Sequence, residues 1–587
     1  MVKVGDVLVE EKLAQYYFRM VKLGVRNEVL ITLNEVADLV FTSARHCRTI
    51  LKEMSRLGWL EWRPKVGRNQ RSILYLNFHA EELKSELAKI MISNGKYEKA
   101  LSLINNDRAL FGSLLQNTSG VVRREGQLHI QLTYRRSFSA LLPHRSLRNS
   151  ERFLLRQVYC CLTQCDSYGT LSSQLAHHWV YDDESYQWRF YLRPNLSFHD
   201  GSAITAECIV ELFQKLKILP EYQDELAHVV AISATNSHCI QFQLDQPDLG
   251  FAGLLADARY SIQPVSQLFS SKKIVGSGTF QVEEHSETRL KLQAFDRYYG
   301  CRALADTVSI WKVMRDPLGK IGMKSGNADL DKGAMCTHYL EKNEDNKKVE
   351  NNEVRTRIED GCLLALFNHN SGLSLLQRKY LSQILAPDKL QEQLVKSRGK
   401  IEAVPAYNLL QHWMKTIHSP SEKQSLPNTL TIAVFDHQAL FRCASIITEL
   451  LNQIGVQCEV TNYAFDDFYQ KARDKTLLED IILTSLDLDD NRPTSVYRWL
   501  LSNPILHQSL SMDIKTWLKA ELINIRREGE LADYLGKLES VASSMISDYR
   551  LLPLFHHRQT LRFQGILKGV SITGWGWPAI QDVWTED

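Results

Sequence analysis

No stretch of this sequence approaches the roughly 18 consecutive apolar residues that a membrane-crossing helix needs. Its first residues, MVKVGDVLVEEKLAQYYFRMVKLG, are interrupted at Glu10, Glu11 and Lys12, with no basic segment ahead of an apolar core. They are therefore not read as an export signal, and a cytoplasmic location is expected. Cysteine is sparse and unpatterned. Eleven are scattered over 587 residues, an odd set that fits reduced core thiols better than a disulfide framework. The tightest group, Cys160, Cys161 and Cys165, lacks the matched second pair of a zinc site. The adjacent pairs His177-His178 and His556-His557 lack a third ligand, so no metal is expected. The net charge of +2 is too small for wholesale affinity for nucleic acid or membrane. No nucleophile elbow or kinase set is present, and Gly276 to Thr279 lacks the lysine of a phosphate-binding loop. Neither enzymatic activity nor a cofactor is expected.

What is present is a chain long enough for about three to five domains. Its 44% hydrophobic and 24% charged content is that of an ordinary globular protein. The most specific local pattern lies at residues 32–76. Thr32 and Glu35 have capping-box spacing. Leu33, Val36, Ala37, Leu39 and Val40 then supply one apolar stripe. Thr42 and Ser43 are candidate caps for a second helix, in which Cys47, Ile50, Leu51, Met54 and Leu57 recur at three- and four-residue steps. Gly58 ends it. Two short strands, Trp59–Arg63 and Ser72–Leu76, flank the turn residues Pro64, Gly67 and Asn69. Leu13, Tyr17 and Met20 suit an amphipathic helix ahead of them. This is the plan of a winged helix-turn-helix.

Charge is concentrated in that module. From Thr42 to Arg71 there are eight basic side chains against two acidic ones, enough to attract phosphates. Thr42, Ser43, Ala44, Arg45, His46, Arg48 and Thr49 are left for the start and outer face of the second helix, where side chains reach base edges in a major groove. Lys65, Arg68, Asn69 and Arg71 fall at the ribbon tip. These are the candidate contacts to double-stranded DNA. The alternative is a winged helix that docks a protein, with its charges merely solvated.

Residues 79–118 carry a mostly helical pattern, with Leu83, Leu87, Ile90 and Met91 in one stripe. The texture changes near Leu128 to mixed α/β patterning without internal repeats. The polar stretches 342–353 and 416–428 read as surface loops. Phe198–Gly201 (FHDG) reads as a turn ahead of a helix capped by Thr205, rather than as His199–Asp200 acid–base chemistry.

Three further blocks carry a resemblance. WRFYLRPNLSFHDGSAITAECIVELFQKL (Trp188 to Leu216), VGSGTFQVEEHSETRLKLQAFDRYYG (Val275 to Gly300) and LLPLFHHRQ (Leu551 to Gln559) resemble the oligopeptide- and nickel-type solute-binding proteins. Thr279 and Phe280 depart from that family's Pro-Tyr. A winged helix ahead of such a body, with GWLEW, GRNQRS and AHHW runs, closely resembles the SgrR family of bacterial transcriptional regulators. The resemblance implies promoter binding, a cytoplasmic location and a response to a small solute linked to sugar-phosphate stress.

The expected fold class is α/β. Residues 1–78 form the winged helix, 79–124 a helical connector, and 125–587 a two-lobed binding-protein-like domain. Lobe I spans about 125–313 and 554–587, and lobe II about 314–553, with hinges near Trp311–Arg315 and Leu551–His557. Candidate solute contacts are Tyr134, Arg135 and Arg136, after the first strand of that domain, and the indoles Trp575 and Trp577. Core packing is the competing reading for both indoles. The expected partners are promoter DNA and a small polar solute such as a sugar phosphate or peptide, with room for contact with RNA polymerase and no membrane. A transport-associated binding protein with an N-terminal protein-contact module is the competing function.

Overall fold

The computed structural model describes residues 4–65, 70–93, 96–107, 110–111, 114, 120–124, 126–134, 137–270, 273–312, 337–342, 352–398, 403–486, 488–564 and 567–585. The first module runs α1 (Val4–Met20), β1 (Glu28–Ile31), α2 (Leu33–Leu39), α3 (Ala44–Arg56), β2 (Leu60–Arg63) and β3 (Ser72–Leu76). Its antiparallel sheet has the order β1-β3-β2. The capping box forms as its spacing predicts. Thr32 Oγ1 accepts the Glu35 N–H at 3.2 Å, and the Glu35 carboxylate accepts the Thr32 N–H at 2.8 Å. Of the two candidate caps for α3, Ser43 takes the role, accepting from the His46 amide at 3.2 Å. Gly58 closes the helix at φ +74°, a left-handed turn that costs glycine little. Cys47, Ile50, Leu51 and Met54 are buried against Tyr17 and Met20 of α1, Val36 of α2, and Trp59, Leu60, Leu74 and Leu76 of the ribbon. Each large apolar side chain contributes about 1.5–3 kcal/mol by leaving water. Leu57 is only half-buried.

Two helices follow, α4 (Ala80–Ser93) and α5 (Tyr97–Leu103). Leu83 and Leu87 of α4 join the winged-helix core. One turn on, Ala88, Met91 and Ile92 enter a second cluster with Tyr97, Ala100 and Trp311. Trp311 lies on the strand Thr307–Lys312 of the following domain.

That domain has two lobes. Lobe I is built on an eight-stranded sheet in the order 280–285, 289–294, 307–312, 127–134, 120–124, 337–342, 558–564 and 352–358. A four-stranded sheet (176–182, 187–192, 229–236 and 239–244) packs beside it on helix Ala206–Ile218. Lobe II holds a six-stranded sheet flanked by helices. Its strands Cys362–Phe367, Ile481–Leu486 and Leu551–His556 are buried along their whole lengths, which is why CLLALF, IILTSL and LLPLFH are nearly continuous apolar runs.

The lobe boundaries depart from the sequence expectation. Thr337–Lys342 and Asn352–Ile358 pair with Arg558–Gln564 in the sheet of lobe I, although they fall inside the 314–553 expected for lobe II. Between this sheet and the six-stranded one the chain passes at Glu359–Gly361 and again at His557. The strand NEVRTRI was hidden because its first residues overlap an acidic, lysine-rich stretch that reads as loop. Gly120–Arg124, expected in the connector, is also a strand of this sheet.

Candidate DNA interface and inter-lobe site

The outer face of α3 begins at the Ser43 cap. Arg45, His46, Arg48, Thr49 and Lys52 are exposed along it. Ala44 and Thr42 are half-buried at its start. His46 packs edge-on to Tyr16 of α1, with ring centroids 6.3 Å apart. The surplus of positive charge divides into two kinds. Arg56 pairs with Glu53 at 2.6 Å, Arg63 with Glu61 at 2.7 Å, and Arg71 with Glu35 at 3.6 Å. The Arg56 hydrogen bond draws the Glu53 carboxyl below its ordinary range. Arg45, Arg48, Lys52 and Lys65 form no ion pair among the described residues. The unpaired charge thus sits on the face and start of α3 and at the foot of the wing. Arg68 and Asn69, the expected wing-tip contacts, lie outside the described residues.

The second site is the seam between the lobes. Helix Asn149–Val158 of lobe I carries Arg152 and Arg156 four residues apart on one face, with Arg148 as the residue that precedes its first turn. Arg148 meets Asp436 of lobe II at 2.7 Å and lies over the Phe465 ring. Arg156 meets Asp489 at 2.6 Å and also donates to the Ala256 carbonyl. Asp257 of lobe I receives Arg498 of lobe II at 3.1 Å. Burial would raise the Asp257 carboxyl, but Arg498, Arg152 and Arg156 outweigh it and hold it well below the usual range. Deeper in the seam, Glu225 accepts from Arg259, Tyr260 and, across the lobes, Ser502. Arg526 of lobe II reaches His228, whose other nitrogen contacts Asp248. Gly250 lets Tyr534 of lobe II approach, because a Cβ there would sit 2.3 Å from the Tyr534 hydroxyl.

At the crossing strands the seam is less complete. Glu359 accepts from Asn149 and contacts His557, each at 3.0 Å, and His557 stacks on His437. Arg492 of lobe II meets Asp360 at 2.8 Å. Here five buried polar atoms have no hydrogen-bond partner among the described residues: Arg148 Nε, Asn149 Oδ1, His557 Nε2, Arg492 Nε and Trp575 Nε1. Unpaired buried polar groups cost about 1–3 kcal/mol each.

The expected solute contacts divide. Arg135 and Arg136 lie outside the described residues. Tyr134 donates its hydroxyl to Ser150 and stacks on Phe138 at 4.7 Å. Trp575 and Trp577 are both buried, packed on Phe153 in the core of lobe I. Packing is therefore their role in this conformation, and only the Trp575 indole N–H retains unused polar capacity. Sequence reasoning missed Arg148, Asn149, Glu359, His437, His557 and Arg492. The four-residue arginine spacing in RNSERFLLR was the available signal.

FHDG forms the expected turn, in which Asp200 accepts from Ser202. His199 clamps the neighbouring glycine loop. Its Nδ1 accepts the Gly276 N–H at 3.2 Å and its Nε2 faces the Gly278 carbonyl at 3.0 Å. Burial lowers the imidazole to about 4. Thr205 caps helix Ala206–Ile218 through the Cys208 amide. Among the described residues no group of three metal-ligating side chains is present, and no helix is long and apolar enough to cross a membrane.

A winged helix-turn-helix joined through a helical connector to a two-lobed body of the solute-binding-protein fold defines the class. Residues 12–126 match the family model described as "Sugar transport-related sRNA regulator N-term", and residues 170–383 match "Bacterial extracellular solute-binding proteins, family 5 Middle". Both matches, in this order, are features shared with the SgrR regulators, to which the chain is similar along its length. The chain is 28% identical over 582 residues to the HTH-type transcriptional regulator SgrR of Photorhabdus laumondii, and 27% identical over 584 residues to that of Shigella dysenteriae, covering 98% of both chains in each case. Among solved structures the body is similar in fold to the oligopeptide-binding protein AppA of Bacillus subtilis (TM-score 0.61, 15% identity, 78% of this chain and 100% of that one). It is likewise similar to the murein tripeptide binding protein MppA of Escherichia coli (TM-score 0.59, 16% identity, 79% and 99%).

Proposed function

We propose that this protein is a cytoplasmic one-component transcription regulator, which binds promoter DNA through α3 and the wing and senses a small polar solute between its lobes. The observation that carries the DNA half is the exposed charge of Arg45, Arg48 and Lys52 on the face of a capped helix, without an ion pair among the described residues, set against the paired charge of Arg56, Arg63 and Arg71. The five partnerless polar atoms at the crossing strands support a solute seam, with Arg148, Asn149, His557 and Arg492 as its contacts. Their mixture of cationic donors and a neutral acceptor suits an anionic or hydroxyl-rich ligand such as a sugar phosphate, or a peptide. The reading includes no catalytic step.

Regulation requires that the solute bind the DNA-competent and DNA-incompetent states with different affinities. A coupling of about 1–3 kcal/mol would change DNA affinity roughly 5- to 150-fold, and DNA would change solute affinity by the same factor. The test is fluorescence anisotropy of the whole chain on duplex DNA, with sugar phosphates and short peptides titrated in both the presence and absence of DNA. Solute binding that leaves DNA affinity untouched would sink the sensor half. Absence of DNA binding would leave the transport-associated reading.

A further inference from the structure

Phe41 is 81% exposed, the largest exposure of any large aromatic or aliphatic side chain among the described residues of the winged module. It sits in the turn between α2 and α3 at φ +56°. A non-glycine residue held there is strained, and the ring is not part of the winged-helix core. Arg19, near the end of α1, explains how the ring is held. Its guanidinium donates to the Val40 carbonyl at 2.8 Å and lies over Phe41 at 5.2 Å on one side and over Tyr16 at 5.7 Å on the other. Tyr16 in turn packs on His46 of α3. Arg19 is exposed and forms no ion pair among the described residues. Exposed Phe41, Arg19 and His46, with half-buried Tyr16 between them, therefore make one continuous edge that joins the start of α3 to α1.

We propose that this edge is a second DNA-contacting element, in which Arg19 takes a backbone phosphate and Phe41 packs against the sugar–base edge beside the bases faced by α3. The proposal rests on the DNA reading of α3. Three things select duplex DNA as the occupant. The edge is continuous with the candidate recognition face, since Phe41 precedes Arg45 by four residues, a reach of at most about 14 Å. Its charge is positive, as is that of the adjoining Arg45 and Arg48. Its cation is already positioned by a carbonyl and two rings, so little side-chain freedom is lost on meeting a phosphate. An apolar ring can meet a thymine methyl, a contact that carries sequence information where a phosphate contact does not.

The experiment uses the full chain, the tightest-binding duplex selected from a random-sequence library, and a shuffled duplex of equal length. Phe41→Ala should weaken the selected duplex about tenfold and leave the salt dependence unchanged. Arg19→Gln should weaken both duplexes and lower the slope of log affinity against log salt by about one. Phe41→Gly should weaken the selected duplex likewise while leaving the melting temperature unchanged or raised, because glycine removes the cost of the left-handed backbone. Normal DNA binding by Phe41→Ala and Arg19→Gln, with Arg45→Ala impaired, would overturn the proposal and leave the edge to a protein partner. Normal binding by all three would overturn the DNA reading of α3 as well. A fall in melting temperature with Phe41→Gly would show that the ring is held for the fold, and would overturn the proposal too.

Discussion

Arginine does opposite work in the two halves of this chain. On α3, Arg45 and Arg48 stand in water without an acidic partner. At the lobe seam, Arg156 and Arg498 are largely withdrawn from water and end on Asp489 and Asp257, both fully enclosed. An exposed, uncompensated cation contributes little to folding and much to the capture of a polyanion, and salt weakens that capture. An enclosed, compensated cation is held by geometry that salt hardly reaches, and removing one partner leaves the other buried and alone. The same residue type is left exposed in one region and fastened in the other. What distinguishes them is whether a carboxylate from a distant part of the chain arrives opposite.

The largest expected effect comes from breaking a fastener. Asp257→Ala leaves Arg498 without its partner and should cost about 3–5 kcal/mol in urea denaturation. The exposed pair Lys519–Asp224 also joins the lobes, yet Asp224→Ala should cost less than about 1 kcal/mol. Equal costs would erase the distinction. Next is His199, whose neutral ring holds the Gly276–Gly278 loop. Because burial depresses its folded value to about 4, its contribution is fully present above the ordinary 6.5 and is lost as pH falls from 6.5 through 4. The span corresponds to about 3 kcal/mol. A pH series of unfolding free energies should show this acid-side slope in the parent chain, and His199→Gln should flatten it.

On the exposed side, Arg45→Ala should cost about 1–3 kcal/mol on a preferred duplex and little on random sequence, with unfolding free energy within about 0.5 kcal/mol of the parent. Thr32→Ala should show the reverse. It removes one arm of the capping box and should cost about 1 kcal/mol of stability, with DNA affinity falling only where the fold does. Arg71→Ala should give the smallest change, a salt slope lower by about one on every duplex. Its exposed pairing with Glu35 contributes little that the loss would disturb.

The winged module was legible because each of its devices is local. Thr32 and Glu35 are three residues apart, Gly58 acts on its own backbone, and the stripe from Cys47 to Met54 repeats within one helix. The body was legible through turns and caps of the same short range, such as FHDG and Thr205. The seam was not, because Arg156 and Asp489 are 333 residues apart and Arg498 and Asp257 are 241 apart, and no spacing rule joins them. The indoles Trp575 and Trp577 were ambiguous for a related reason. Whether an aromatic ring faces a ligand or Phe153 depends on a helix far away in the chain. The strand Asn352–Ile358 was obscured because its first residues continue the polar stretch 342–353, while the pairing that fixes it comes from Arg558–Gln564, about 200 residues on.

Helix α4 is anchored at both ends, its first turns in the winged-helix core and its last beside Trp311 on the sheet of lobe I. A flexible tether would only keep the two halves near each other. A strut also transmits angle. With 14 residues at 1.5 Å each, α4 is a lever about 21 Å long. A tilt of about 10° at its foot moves its far end by roughly 3.6 Å, close to the 3.4 Å rise of one base-pair step. A small rotation of the binding-protein body is therefore of the right size to carry the reading head from one rung of the duplex to the next.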